Sequence, residues 1–115
     1  MANSELEQNR IERRRYPRVN RNIRVDMHLE SRGYDIRGET RDISPVGTYC
    51  EVNRAIPEMT ELKIILELPT DQVECEGTVV RSVSDPNHSD LHHLAIFFHK
   101  ISDEAKRNLS EFLGI

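Results

Sequence analysis

The sequence of 115 residues contains no tryptophan, only three phenylalanines and three tyrosines, and five glycines. A hydrophobic core therefore has to be built largely from Val, Ile and Leu, which suits a small soluble protein. The longest uninterrupted apolar run, Leu94 to Phe98, falls far below the ~20 residues that a membrane helix needs. The opening MANSELEQNR also lacks the apolar segment of a secretory signal. These absences predict a cytoplasmic protein without membrane insertion.

Cysteine and catalytic motifs are equally scarce. The two cysteines, Cys50 and Cys75, have neither the paired spacing of a zinc site nor the density of a disulfide scaffold. Each lies on the apolar phase of a strand-like stretch, so we expect buried free thiols. The sequence also lacks a serine nucleophile elbow, a His-Glu-x-x-His helix and a phosphate-cradling glycine loop. We therefore expect no enzymatic activity and no cofactor.

Lysine is rare, whereas arginine is abundant and clustered. Three lysines stand against thirteen arginines in a chain of net charge −4. Residues 10–24 hold seven arginines and one glutamate, a local charge of +6, and the stretch ERRRYPR (residues 12–18) contains four of them. Arginine is favoured where phosphate or a base edge is held by two hydrogen bonds at once. The cluster therefore indicates a segment that binds such groups.

Most of the remaining chain alternates apolar and polar residues with a period of two, which predicts strands. Six strands are expected. The first begins near Val19, and the second runs from Tyr34 toward Asp42. The other four cover residues 48–52, 62–68, 73–79 and 92–101. The last segment changes to a helical period, with Ser102 as N-cap and Gly114 as C-cap. Short connections leave little room for parallel crossovers, so the pattern favours a mainly β fold, a six-stranded antiparallel barrel or small sandwich with a C-terminal α-helix.

We divide the chain into a flexible N-terminal arm, residues 1–9, and one domain, residues 10–115, with the arginine segment at its start. The arm is polar, and Pro17 prevents a regular helix through the arginines. This division places the positive charge directly before the first strand.

The stretch RDISPVG, residues 41–47, is the second unusual local sequence. Asp42 stands two residues before Ser44 at a predicted strand end, where it can form an Asx-type turn. Gly47 permits a backbone conformation or a close ligand approach that a β-carbon would block. Taken alone, the stretch is a well-made connection between two strands.

Taken with the arginines, the stretch resembles the PilZ domain, the bacterial receptor for cyclic di-GMP. Arg14 and Arg18 match that family's Arg-x-x-x-Arg motif, and Asp42, Ser44 and Gly47 match its Asp-x-Ser-x-x-Gly motif. Arg10 with Arg14 has the same spacing, but ERRRYPRV leads directly into the first strand, as the family's motif does. EGTVVR and HHLAIFF resemble the fifth and last strands of the family. Ala95 replaces a usual glycine there, and we expect that change to affect local packing rather than ligand binding.

The resemblance implies a ligand with two phosphates and two guanines. Arg14 and Arg18 can clamp phosphate oxygens or the guanine O6/N7 edge, and can stack on a purine. Asp42 can accept from guanine N1 and N2, and Ser44 with the backbone near Gly47 completes the rim.

Three further arginines are candidates for ligand contact. Arg13 and Arg15 flank the first motif and can add phosphate contacts, although neighbours in an extended segment point to opposite sides. Arg81 falls on the phase of Val79 and Val83, where a guanidinium either reaches to water or stacks on guanine.

The arginine segment also predicts a mechanism. Its charges repel one another, so we expect it to be mobile without ligand and to fold against the barrel when the nucleotide neutralises it. That ordering would change the surface offered to an effector protein of flagellar, exopolysaccharide, pilus or transcriptional machinery.

Three other interpretations address parts of the sequence. His88, His92 and His93 beside Asp85 and Asp90 could bind a metal, but such a polar loop is more often solvated surface, so no metal is expected. A small barrel that binds single-stranded nucleic acid is disfavoured by the net charge and by the few aromatic residues. A PilZ-fold protein-interaction module that does not bind nucleotide also stays open.

Overall fold

The structure is a computed structural model that describes residues 17–29 and 34–115. It contains six strands and one helix, and we number them in chain order. The strands are β1 (Arg24–Leu29), β2 (Tyr34–Ser44), β3 (Gly47–Val52), β4 (Glu61–Glu67), β5 (Gln72–Ser84) and β6 (His92–Lys100), and the helix is α1 (Asp103–Leu113). The first predicted strand starts later than expected, because Val19 makes only an isolated bridge and β1 begins at Arg24.

The strands form a closed barrel in the order β1-β2-β3-β6-β5-β4, and every neighbouring pair is antiparallel, including β4 with β1. Alternation along each strand turns one set of side chains inward, and Val25, Cys50, Leu66 and Leu94 are each 0% exposed. This arrangement confirms the predicted fold, a mainly β antiparallel barrel with one C-terminal helix.

Apolar side chains from outside the strands complete the core of the barrel. The loop between β3 and β4 buries Ile56, and α1 adds Leu109 and Leu113 to the same core. The helix begins where the Ser102 side chain accepts the Ala105 N–H at 3.0 Å. It ends at Gly114, whose φ of 74° is left-handed, a conformation that favours glycine. Both predicted caps are therefore confirmed.

Two β-bulges change which residues face outward. In β2 the register shifts between Thr40 and Asp42, so Thr40 and Ile43 both point into the core at 0% exposure and Asp42 turns outward. The register between β5 and β6 shifts twice, between Glu76 and Thr78 and between Val79 and Arg81, and beyond the second shift Arg81 is exposed. The period of two had placed Arg81 on the inward phase; that placement was wrong because the bulge inserts an extra residue.

Residues 17–23, which we call the lead-in segment, run along β2. Val19 and Ile43 exchange two backbone hydrogen bonds of 2.9 and 3.0 Å. The Thr40 hydroxyl donates to the Arg21 carbonyl at 2.6 Å and accepts the Ile23 N–H at 2.8 Å. These bonds fix the lead-in segment against the strand that carries Asp42.

The two cysteines are free and buried, as predicted. Burial raises the pKa of the Cys50 thiol to about 12. Burial and then the charge of Glu76 raise the pKa of the Cys75 thiol to about 12. Both thiols therefore belong to the core.

Within the described residues, no helix has the length and apolar character needed to cross a membrane.

Candidate functional site

The structure brings the two sequence motifs together at Arg18 and Asp42. A guanidinium nitrogen of Arg18 lies 3.5 Å from Oδ1 of Asp42. The lead-in segment delivers Arg18 to this point because it pairs with β2 at Ile43, and the β2 bulge turns Asp42 toward it. Arg18 stays 54% exposed in its side chain, whereas Asp42 is 22% exposed. The cation can therefore still reach a ligand, and the carboxylate is largely sheltered from water.

The ion pair leaves Asp42 with unused hydrogen-bonding capacity. Its Oδ1, the atom that lies 3.5 Å from Arg18, is buried and receives no hydrogen bond from the described residues. A buried carboxylate oxygen without a donor is costly, so such atoms in native proteins are usually satisfied by a ligand or water. The backbone at this point is fixed, since the Thr48 hydroxyl donates to the Asp42 carbonyl at 2.7 Å. Asp42 is thus positioned to accept an N–H group from outside.

Ser44 and Gly47 shape the turn beside it. The Val46 N–H donates to the Ser44 hydroxyl oxygen at 3.2 Å, and that hydroxyl approaches the Gly47 carbonyl at 3.5 Å. Ser44 therefore makes the turn contact that the sequence had suggested for Asp42, which lies inside β2. At Gly47 an added β-carbon would lie 2.6 Å from the Ile96 carbonyl oxygen. The close approach of β6 thus requires glycine at this position.

A surface depression of about 430 Å³ begins at this corner of the barrel. It brings together Arg18, Ser44, Gly47 and Arg81 of the predicted site residues, and Asp42 lies beside it through the Arg18 ion pair. The rest of its lining comes from β3, β5, β6 and the β2–β3 turn: Val46, Tyr49, Val80, Ala95, Ile96 and Phe97. Within the described residues, this is where the motif side chains meet.

A larger depression of about 750 Å³ lies elsewhere, against β1, β4 and β5. It contains none of the motif residues, and its charged lining mixes both signs, with Asp26, Glu74 and Glu76 beside Lys63 and Lys100. Its size alone does not make it a site for a dianion.

Strand register links the predicted residues to two that sequence reasoning missed. Asp42 pairs with Tyr49, Tyr49 with Ala95, and Ala95 with Arg81, so the four form one row across β2, β3, β6 and β5. Ala95 therefore lines the depression, and the expectation that its change affects packing rather than ligand binding stays a prediction. The period of two in β3 would have placed Tyr49 outward, but nothing local showed that β6 lies beside it.

The ring of Tyr49 contacts the ring of His93. The two rings are stacked, with centroids 5.5 Å apart and planes inclined by 11°. His93 Nε2 lies 2.8 Å from Asp85 Oδ2, and since an ionised carboxylate only accepts, the imidazole donates. The hydrogen bond from His93, followed by the Asn87 and His88 N–H groups, lowers the pKa of Asp85. The part of the chain that the structure describes holds no group of three or more His, Cys, Asp or Glu suited to a metal ion.

Arg14 of the first motif lies outside the described residues, as do the flanking Arg13 and Arg15. Their contacts with a ligand therefore stay predictions, and so does the flexible arm over residues 1–9.

Comparison with protein families matches residues 12–114 to the PilZ domain. Similar solved structures include the inhibitor of motility MotI (DgrA) of Bacillus subtilis, with a TM-score of 0.74 and 23% identity, over 88% of this chain and 49% of that one. The PilZ domain of Escherichia coli YcgR, solved with c-di-GMP, has a TM-score of 0.66 and 18% identity, over 89% of each chain.

MrkH of K. pneumonia, a c-di-GMP-dependent transcription regulatory factor, has a TM-score of 0.68 and 17% identity, over 88% of this chain and 49% of that one. The present chain thus spans about half the length of MotI and MrkH. Comparison with curated proteins finds no significant match. At these identities, the likeness to solved structures shows the shared barrel fold.

Proposed function

Because the chain belongs to the PilZ domain family, we propose that it is a receptor domain for cyclic di-GMP. The observation that carries the proposal is the meeting of Arg18 and Asp42 at 3.5 Å, where the buried Asp42 Oδ1 has the Arg18 cation beside it and receives no hydrogen bond from the described residues. A half-exposed cation next to a sheltered carboxylate fits a ligand that carries both phosphate and N–H donors. Cyclic di-GMP carries both.

In the proposed complex, each element of the corner has a separate role. Asp42 accepts from N1 and N2 of a guanine, a pair of donors that adenine does not offer. Arg18, joined by Arg14, holds phosphate oxygens or the guanine O6/N7 edge. Ser44 and the backbone at Gly47 form the rim. Asp42 thus supplies base selectivity, and the arginines supply most of the affinity.

The similar structures support this assignment of the ligand. The YcgR PilZ domain was solved with c-di-GMP, and MrkH is described as dependent on it. Both share the barrel described above, in which β2 and β3 carry the second motif.

A relay from the ligand to an effector protein is the finer part of the proposal. The arginine segment is expected to order when the dianion neutralises it, and the lead-in segment connects that region to α1. Specifically, the Arg21 guanidinium lies 4.8 Å from the centre of the Phe112 ring, a cation–π distance. Ordering near Arg18 therefore changes the surface formed by the arm, the lead-in segment and α1, and an effector can distinguish the two states.

Calorimetric titration of the 115-residue chain with cyclic di-GMP tests the ligand assignment. We expect saturable binding for the unmodified chain, loss of detectable binding for Arg18→Ala, and an affinity about 5- to 150-fold lower for Asp42→Asn. Arg37→Ala is the matched control, since this exposed β2 arginine pairs with Asp26 at 3.5 Å and lies outside the depression. Absence of binding to the unmodified chain would overturn the proposal.

Limited trypsin digestion tests the ordering step separately. Cyclic di-GMP is expected to slow cleavage within residues 8–20 and to leave cleavage after Arg107 on α1 unchanged. Equal cleavage of residues 8–20 with and without bound nucleotide would reject the ordering while leaving the binding proposal intact.

A further inference from the structure

The place where Arg18 meets Asp42 is called the motif corner below. The row of Asp42, Tyr49, Ala95 and Arg81 extends the site well beyond it. Neighbouring strands lie about 4.8 Å apart, so the backbones that carry Tyr49 and Arg81 flank Ala95 across about 10 Å. Ala95 projects only a methyl group between them. The middle of the row is therefore a slot with an aromatic ring on one side, a guanidinium on the other and a shallow floor.

The ring of Tyr49, on one side of this slot, is held in place by a neighbouring side chain. The Tyr49 ring lies nearly parallel to the ring of His93 in an offset stack, with centroids 5.5 Å apart, and His93 is held by Asp85 at 2.8 Å. The side chains of His93 and Asp85 are only 14% and 17% exposed, so the support behind the ring is largely sheltered. Tyr49 itself lines the depression, whereas His93 does not. The stack therefore leaves the opposite side of the Tyr49 ring for a ligand.

The dimensions and chemistry of the slot match a planar base. A base held between two planar groups lies about 3.5 Å from each of them, the contact distance of stacked atoms. The flanking side chains reach this spacing by leaning inward from backbones that are about 10 Å apart. Aromatic rings and guanidinium planes are the protein groups that stack on bases. A side chain larger than that of Ala95 would occupy the space.

We propose that Tyr49 is a ligand-contact residue that stacks on one purine of the bound nucleotide, over Ala95 and facing Arg81. The second purine is the one that Asp42 recognises at the motif corner. This inference rests on the proposed function, because it assigns the two bases of the same dinucleotide to the two parts of one depression. His93 is a positioning residue that holds the Tyr49 ring at the side of the slot.

Titration of Tyr49→Leu and Tyr49→Phe with cyclic di-GMP tests the contact. Leucine keeps the bulk and loses the aromatic face, so affinity is expected to fall by about 5- to 150-fold, the range for one lost base–aromatic stack. Phenylalanine keeps the face and is expected to bind within about threefold of the unmodified chain. The Arg18→Ala variant accompanies both, as the control for the motif corner.

Tyrosine emission gives a second readout that does not depend on the stability of Tyr49→Leu. The chain has no tryptophan and three tyrosines, so Tyr16→Phe and Tyr34→Phe together leave Tyr49 as the single emitter. Corrected for nucleotide absorption, its emission is expected to fall on addition of cyclic di-GMP, because a stacked guanine quenches it.

The outcomes separate the two proposals. Weaker binding of Tyr49→Leu with quenching of Tyr49 supports the inference, and quenching alone supports it where that variant does not fold. Unchanged affinity of a folded Tyr49→Leu variant, or unchanged Tyr49 emission at saturating nucleotide, overturns the inference and leaves the receptor function standing if Arg18→Ala still abolishes binding. No binding by the unmodified chain overturns both.

Discussion

Asp42 on β2 and Arg81 on β5 stand at the two ends of a single cross-strand row, with Tyr49 and Ala95 between them. Each reaches the outer face because a β-bulge shifts the phase of its strand. Without the bulges, both charges would point toward a core that is built mainly from apolar side chains. Bulges are common beside functional sites because they re-aim a side chain in this way. The row thus holds an acceptor at one end and a cation at the other.

Removing the cation at Arg81 is expected to weaken cyclic di-GMP binding by about tenfold or more, the equivalent of one hydrogen bond to a charged group. Arg81→Ala removes both the charge and the plane, whereas Arg81→Lys keeps the charge, so the lysine variant should bind with intermediate affinity. Calorimetry at one fixed salt concentration measures both.

Arg107→Ala serves as the control for Arg81, because Arg107 is an exposed arginine on α1 outside the depression. Wild-type affinity in Arg81→Ala, combined with impaired Arg18→Ala, would mean that Arg81 is only a surface cation.

Gly47→Ala is expected to destabilise the barrel whether or not ligand is present. The added carbon would meet the Ile96 carbonyl oxygen at 2.6 Å, a backbone atom that cannot move without disturbing the β3–β6 pairing. We expect a loss of about 1–3 kcal/mol in the free energy of unfolding, typical of overpacking. Urea denaturation followed by circular dichroism measures it.

The control for Gly47 is Ala95→Gly, which removes a methyl group from the same strand pair and should cost at most about 1 kcal/mol. Equal stability of Gly47→Ala and the unmodified chain would show that the β6 backbone moves aside, and would restore the ligand approach as the reason for glycine.

The sequence predicted what depends on local periodicity. Ser102 and Gly114 marked the ends of α1, and alternation marked six strands. Both signals are local, because a helix cap and the alternation of a strand depend only on residues close together in sequence. The convergence of Arg18 with Asp42 followed from family resemblance. The bulge before Asp42 and the neighbours of Ala95 did not follow, because a bulge breaks the assumed period and the β3–β6 pairing joins strands distant in sequence.

Cys50 and Cys75 are expected to be inert toward Ellman's reagent in the folded protein. A pKa of about 12 for each thiol leaves a thiolate fraction of about 10⁻⁴ at pH 8, and the thiolate is the reactive form. Both thiols should react promptly in guanidinium chloride, so the absorbance in the two conditions counts them. Rapid reaction of either thiol under native conditions would show that the barrel opens locally at that strand.

Asp85 should make the order of its loop depend on pH. The hydrogen bond from His93, followed by the Asn87 and His88 N–H groups, lowers the pKa of this carboxyl. A lowered folded pKa means that the stabilisation is fully present above the ordinary carboxylate pKa of ~4 and is lost as the pH falls through the lower folded value.

The protection of the Asn87 and His88 amides from hydrogen exchange, relative to intrinsic rates, should therefore fall in that acidic window. Asp85→Asn should lower it at neutral pH as well, whereas Asp90→Asn, at an exposed position of the same loop, should not. Protection that stays constant down to pH 2 in a folded chain would show that loop geometry, rather than the carboxylate charge, holds these amides.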